Sequence, residues 1–398
     1  MKIRSIVILL LFSVVSCQNN VLRQVTSAFY HWKSVYNPTL SESEYLSRLH
    51  CHHLYLRLFD VDWSEEARFP EPISILNQTL ATSDTVTPVI FITNQTFLHI
   101  SITQTDSLAA LVLLKINAVL EGRDISVREL QFDCDWTPKS KDKYFSFLRD
   151  IKTRLSKASN AVMAPTEQVA SKNFPNAIPH ERLSSKGFPN TVSHERLTSK
   201  SGQGRFLNSD VAPPLICVTV RLHQIKFYED TGVPPVDKGI LMCYNTENLD
   251  DPKTENSILH VETLRGYLAH LKDYTLPLDV ALPLFSWGVL SRNGEVTKLI
   301  NNLQKEELDS FPEVFATINA NHYRLKKNSY LKGYYLYRDD EIRTENVGLE
   351  TLRRTADMLS ERLPRRQEPL IVSFYHLDSA IVNRYRYEDL EDILSRFR

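Results

Sequence analysis

Glu129-Leu130-Gln131-Phe132-Asp133-Cys134-Asp135-Trp136 is the stretch on which the fold turns. Its even positions are Leu130, Phe132, Cys134 and Trp136, and its odd positions are Glu129, Gln131, Asp133 and Asp135. Side chains alternate across a strand, so one face is apolar and the other carries acids and an amide. A second stretch repeats the pattern: Ile216, Val218, Val220 and Leu222 alternate with Cys217, Thr219, Arg221 and His223. A doubly covered structural sheet would be apolar on both faces. A barrel with an outer helical layer wants the apolar parity outside and leaves the polar one inside. Burying Asp133, Asp135, Arg221 and His223 costs several kcal/mol unless they pair or meet a polar ligand. Such costs are tolerated at functional sites.

Working outward, further strand-like runs are His53–Trp63, Thr87–Thr93, Gly239–Thr246, Leu278–Trp287, Leu331–Arg338 and Leu370–His376. With 128–136 and 215–224 they make eight. Helical patterns fall between most of them, at Ser107–Leu120, Lys141–Leu155, Ser257–Leu271, Val296–Glu307 and Leu349–Leu363. Leu390, Ile393, Leu394 and Phe397 share a final helical face. Alternation of strand and helix implies a parallel sheet. The expected fold is therefore a (β/α)8 TIM-type barrel over residues 53–398, with 17–52 as a lead-in. An open doubly wound sheet ranks second.

Residues 157–213 interrupt this order. Ser171–Ser184 and Ser185–Thr198 form a tandem repeat of period 14 with nine identities. Two short copies cannot stack as a solenoid, and the segment has too few apolar residues to offset ordering entropy. It is expected as a mobile inserted loop after the third strand.

The N-terminus reads as an export signal. Lys2 and Arg4 precede the apolar run Ile6–Phe12, and Ser13-Val14-Val15-Ser16 leads to Cys17. The run is too short for a membrane helix. Its end resembles a bacterial lipoprotein box, which implies removal of residues 1–16 and a lipid on Cys17. The chain would then be a membrane-anchored lipoprotein of a bacterial envelope. Cys51, Cys134, Cys217 and Cys243 remain, and their spacing selects no pairing.

Composition narrows the chemistry. Lys and Arg number 47 against 48 Asp and Glu, a charge of −1, which argues against nucleic acid as partner. Only 11 glycines occur, and no phosphate loop, serine elbow or zinc helix can be read. No cofactor and no metal are expected. Asp133 and Asp135, roughly 6–7 Å apart on one strand face, suit acid–base work on a glycosidic bond. The alternative is that they salt-bridge Arg221 in the barrel mouth. Asp60 and Asp62 beside Trp63, Arg221 with His223, and Trp287 are candidate sugar-binding groups. Asp339, Asp340, Glu341 and His376 are further polar strand-end residues.

The chain resembles the chitinase-type family 18 glycoside hydrolases at three motifs. Asp133, Asp135 and Trp136 match the end of the family's Asp-x-Asp-Trp-Glu strand. Met242-Cys243-Tyr244-Asn245 is similar to its Met-x-Tyr-Asp strand, and Ala281–Gly288 to its Gly-x-Pro-x-Tyr-Gly pattern. Arg221-Leu222-His223-Gln224 and Gly232–Asn245 also resemble exported bacterial proteins with a glycosidase-like barrel. The resemblance implies carbohydrate as ligand, with Trp136, Tyr244 and Asn245 at the substrate. Two departures stand out: Thr137 replaces the family's catalytic Glu, and Asn245 replaces its Asp. Only two strands, rather than three, are expected before Asp133. Hydrolysis by Asp133 and Asp135, sugar binding without hydrolysis, and a purely structural role all remain open.

Overall fold

The computed structural model describes residues 23–76, 84–123, 125–163 and 212–398. The signal segment, Cys17 and the tandem repeat lie outside the described residues. Eight parallel strands close into a barrel: β1 (Val25–His31), β2 (His53–Ser64), β3 (Thr85–Ile92), β4 (Glu129–Asp133), β5 (Leu215–Arg221), β6 (Lys238–Met242), β7 (Leu278–Pro283) and β8 (Leu370–Tyr375). Closure is made by β1, which pairs with β2 on one side (Phe29 beside Leu54) and with β8 on the other (Val25 beside Leu370). Helices α1 (Leu40–Arg48), α2 (Thr105–Leu120), α3 (Lys141–Met163), α4 (Leu222–Lys226), α5 (Val261–Tyr267), α6 (Leu349–Arg362) and α7 (Tyr387–Ser395) follow successive strands, with none of these seven between β2 and β3.

The inside-out parity read from the sequence holds along β4. Phe132 meets Phe147 of α3 edge to face at 5.4 Å, and Trp136 stacks on Tyr144 at 5.4 Å. Each such ring contributes about 1.5–3 kcal/mol by leaving water. Inward, every polar side chain of the strand finds a partner, as buried polar groups require. At the bottom, the Lys238 ammonium lies 2.7 Å from Glu129 and 2.9 Å from Asp279, with Arg366 closing on Asp279. One layer up, Gln131 donates to the Tyr30 hydroxyl at 2.8 Å. Above that, the Thr219 hydroxyl donates to Asp133 at 2.5 Å. The barrel is filled by a polar ladder sheathed in apolar packing.

Four expectations change. Val25–His31 is a barrel strand rather than lead-in, so three strands precede Asp133. The tandem-repeat segment therefore follows the fourth strand, and α3 continues through 157–163 before it. Leu331–Arg338 is not a barrel strand: Ser329–Leu331 and Tyr334–Leu336 form a separate two-stranded hairpin. Val296–Glu307 is not a helix. Glu295–Asn301 pairs antiparallel with Trp287–Arg292 in a five-stranded sheet that also contains Phe315–Thr317, His322–Leu325 and Glu341–Glu345. This sheet is inserted between β7 and α6 and has its own core of Leu290, Ile300, Leu303, Leu308, Phe315, Tyr323 and Ile342.

Candidate functional site

All eight strands run the same way, so their C-terminal ends share one rim, the end at which barrels of this kind carry chemistry. Asp133 sits just below it and is only 4% exposed. Burial pushes its carboxyl up from an ordinary 3.8 to about 6; Arg221 pulls the other way and Asp135 adds to the rise. Asp135, two residues on, has a side chain 48% exposed and takes both guanidinium arms of Arg221, the Nη2 arm at 3.1 Å. Burial works to lower the Arg221 pKa, but Asp135 and Asp133 overcome it and raise it. The salt-bridge alternative is thus the arrangement found for Asp135, whereas Asp133 keeps a neutral hydroxyl partner.

The other sequence-derived residues separate into mouth and non-mouth groups. Tyr244 is buried at the end of β6, with its ring 5.6 Å from Phe285 and 5.6 Å from Tyr375. Asn245 follows it at the surface with φ 56°, its amide N–H donating to the Ile258 carbonyl at 2.7 Å. Trp287 is half-buried at the start of the inserted sheet, and its indole N–H donates to Glu345 at 2.8 Å. Glu345 also accepts from the Ser257 hydroxyl at 2.6 Å and pairs with Arg343 at 2.6 Å. Asp60 is held by Arg57 in a two-armed ion pair, the Nε arm at 2.7 Å. The same guanidinium lies over the Trp32 ring at 5.4 Å and donates to the Trp32 carbonyl at 3.3 Å. Asp60 therefore faces an arginine that braces Trp32. Asp62 accepts from the Thr93 hydroxyl at 2.6 Å and from the Trp63 N–H at 2.9 Å, as a local strand-end clasp.

Two candidates fall away from the mouth. Trp136 is fully buried between β4 and α3, and its indole N–H donates to the Thr231 carbonyl at 2.9 Å. Its parity had already placed it outward; only the resemblance put it at substrate. His223 is not inward either, because β5 ends at Arg221 and His223 rides exposed on α4. Asp339 to Glu341 belong to the inserted sheet, where Asp340 pairs with Arg292 at 2.7 Å and Glu341 with Arg324 at 2.6 Å. The four described cysteines are buried free thiols.

Several mouth residues were not singled out from sequence. Trp32 follows β1, and Tyr375 ends β8; their rings lie 5.6 Å apart. Tyr375 reaches Phe285 at 5.9 Å, and Phe285 reaches Trp287 at 5.1 Å. Trp32, Tyr375, Phe285 and Trp287 thus run in ring-to-ring contact across the rim, with Tyr244 beneath. An aromatic residue at a strand end or one or two positions past it was the available signal for Trp32, Phe285 and Tyr375, hidden at Trp32 because β1 itself was missed.

No family model and no curated protein matches the chain. Solved structures do. The spore cortex-lytic enzyme SleL of Bacillus cereus is 12% identical, with a TM-score of 0.47 over 94% of this chain and 75% of that one. A chitinase from Chromobacterium violaceum is 9% identical, with a TM-score of 0.45 over 93% of this chain and 98% of that one. A GH18 chitinase from Cycas revoluta, solved with (GlcNAc)3, is 12% identical, with a TM-score of 0.43 over 93% and 98%. The barrel is defined by this chain's own strand pairing, and the site's chemistry is set by the side chains described above.

Proposed function

We propose that the barrel mouth binds carbohydrate without hydrolysing it, on a chain exported through residues 1–16 and anchored by a lipid on Cys17. One observation carries the reading. An unbroken row of aromatic rings crosses the rim, while three of the acids beside it are committed to arginines: Asp60 to Arg57, Asp135 to Arg221 and Glu345 to Arg343. Flat rings offer large, rigid contact area to the C–H faces of a sugar. Hydrolysis needs an acid that can give up a proton to the leaving oxygen, and a carboxylate gripped by a guanidinium favours its charged form. Thr137, at the position following Trp136, has no proton to donate at a useful pKa; its backbone N–H bonds the Ser140 hydroxyl at 2.9 Å.

The hydrolytic reading, with Asp135 as acid and Asp133 as its partner, draws support from one feature, the raised pKa of Asp133. Calorimetry with chito-oligosaccharides and a wider glycan panel, beside a chromogenic-glycoside assay, separates the two. Binding without turnover, weakened by Trp287→Ala and Tyr375→Ala, is expected. Turnover that Asp135→Asn removes would overturn the binding-only reading.

A further inference from the structure

Residues 326–338, Lys-Lys-Asn-Ser-Tyr-Leu-Lys-Gly-Tyr-Tyr-Leu-Tyr-Arg, contain four cations, four tyrosines and no acid. They form the hairpin on the inserted sheet and belong neither to the barrel nor to its mouth. Tyr330 is 74% exposed, Tyr337 47% and Tyr335 41%. The three rings touch in series, Tyr330 to Tyr335 at 4.9 Å and Tyr335 to Tyr337 at 5.0 Å. Cations frame them: the Lys298 ammonium stands 4.6 Å from the Tyr334 ring and the Arg292 guanidinium 4.2 Å from the Tyr337 ring. Lys332 is held by Glu307 at 3.0 Å, Arg292 by Asp340 at 2.7 Å, and Arg338 lies 3.8 Å from Asp339. Lys327 makes no ion pair among the described residues.

A contiguous exposed aromatic patch on a folded surface marks a site of interaction. We propose that this hairpin is a second binding surface, which docks an anionic polysaccharide. The rings supply faces for pyranose rings, and Lys298, Lys326 and Lys327, which make no ion pair among the described residues, supply attraction for carboxylated or otherwise acidic sugars. A lipid surface fits less well. An interfacial anchor buries a face bearing Trp, Phe or Leu, whereas here Leu336 is buried, Leu331 is half-buried and the exposed rings all carry hydroxyls.

The test is electrophoresis of the full chain through native gels containing polygalacturonate, hyaluronan or neutral dextran, beside flotation with phosphatidylglycerol vesicles. Retardation is expected in the two acidic polymers and not in dextran, and it should weaken as salt screens the charges. Tyr330→Ala combined with Tyr335→Ala should lower the affinity roughly tenfold, the effect of losing two ordinary ring contacts. Lys327→Gln should lower it to a smaller degree. All three side chains are exposed, so thermal melts should match the wild type and a lost interaction can be assigned to the surface. The proposal is overturned by migration unaffected in both acidic polymers, by equal retardation in dextran, by a double variant that binds as well as the wild type, or by binding to vesicles alone.

Discussion

Asp133→Asn should make the protein more stable near neutral pH, although it removes a hydrogen-bonded carboxylate. Asp133 lies 4% exposed in the barrel, and burial lifts its pKa from 3.8 to about 6. The sign follows from proton counting. Between those two values the folded state holds a proton that the unfolded chain has released, so stability is complete below the lower value and falls as pH rises through the higher one. The gap is worth about 3 kcal/mol at full ionisation. Asparagine keeps an oxygen for the Thr219 hydroxyl and carries no charge, but it gives up attraction to Arg221, so the net gain should be roughly 1–3 kcal/mol near pH 8. Urea melts of both proteins from about pH 4 to pH 8 measure it. The wild-type curve should descend across that window, and the variant's should be flatter, the two converging at the acid end. Parallel curves, or a variant less stable than wild type near pH 8, would refute the reasoning and make the Asp133 charge a structural requirement.

Asp135→Asn should cost only about 1–2 kcal/mol in a denaturant melt, because the pair with Arg221 is half open to solvent and partly screened; it should also lower the apparent pKa of Asp133, read by carboxyl infrared titration, by removing a neighbouring negative charge. Lys238→Met should be far worse, about 3–5 kcal/mol, since Glu129 and Asp279 would be left buried without their shared cation. Its melt should recover in part as the pH falls and Glu129, already raised by burial, takes up a proton. Cys17→Ser should abolish labelling by a lipid precursor and release the protein from the membrane fraction, whereas an unlabelled wild type would refute the anchor.

The fold was legible where parity was clean. In Glu129–Asp133 and Leu215–Arg221 the alternation of apolar and polar residues gave both the strand and the direction each side chain points, but carried past Arg221 it misplaced His223, where the strand gives way to α4. It failed at Val25–His31, where Ala28, Phe29, Tyr30 and His31 are all buried and neither face reads as polar. It failed again at Val296–Glu307. Val296, Ile300 and Leu303 are spaced like one helical face, but a bulge between Val296 and Lys298 resets the strand's alternation. The polar half of the candidate site was legible because acids on an inward face need an explanation. Its aromatic half was not, since Trp32, Phe285 and Tyr375 come together from three distant segments, and aromatic residues at strand ends are as often core as rim. Trp136 shows the risk of letting a motif overrule parity.

Closure through β1 has a consequence for how the chain comes together. Val25 pairs with Leu370, so the seam joins the two extremes of the described sequence. Until β8 has been made, β1 and β7 each present an unpaired parallel edge, a template for wrong partners. Such distant pairings are slow, because a very long loop must close before they are rewarded. A chain emerging from a ribosome would stay open until Leu370–Tyr375 had been made. That delay keeps the chain unfolded and threadable until then. It also makes the last strand, which carries Tyr375 to the mouth, the step on which a finished barrel depends.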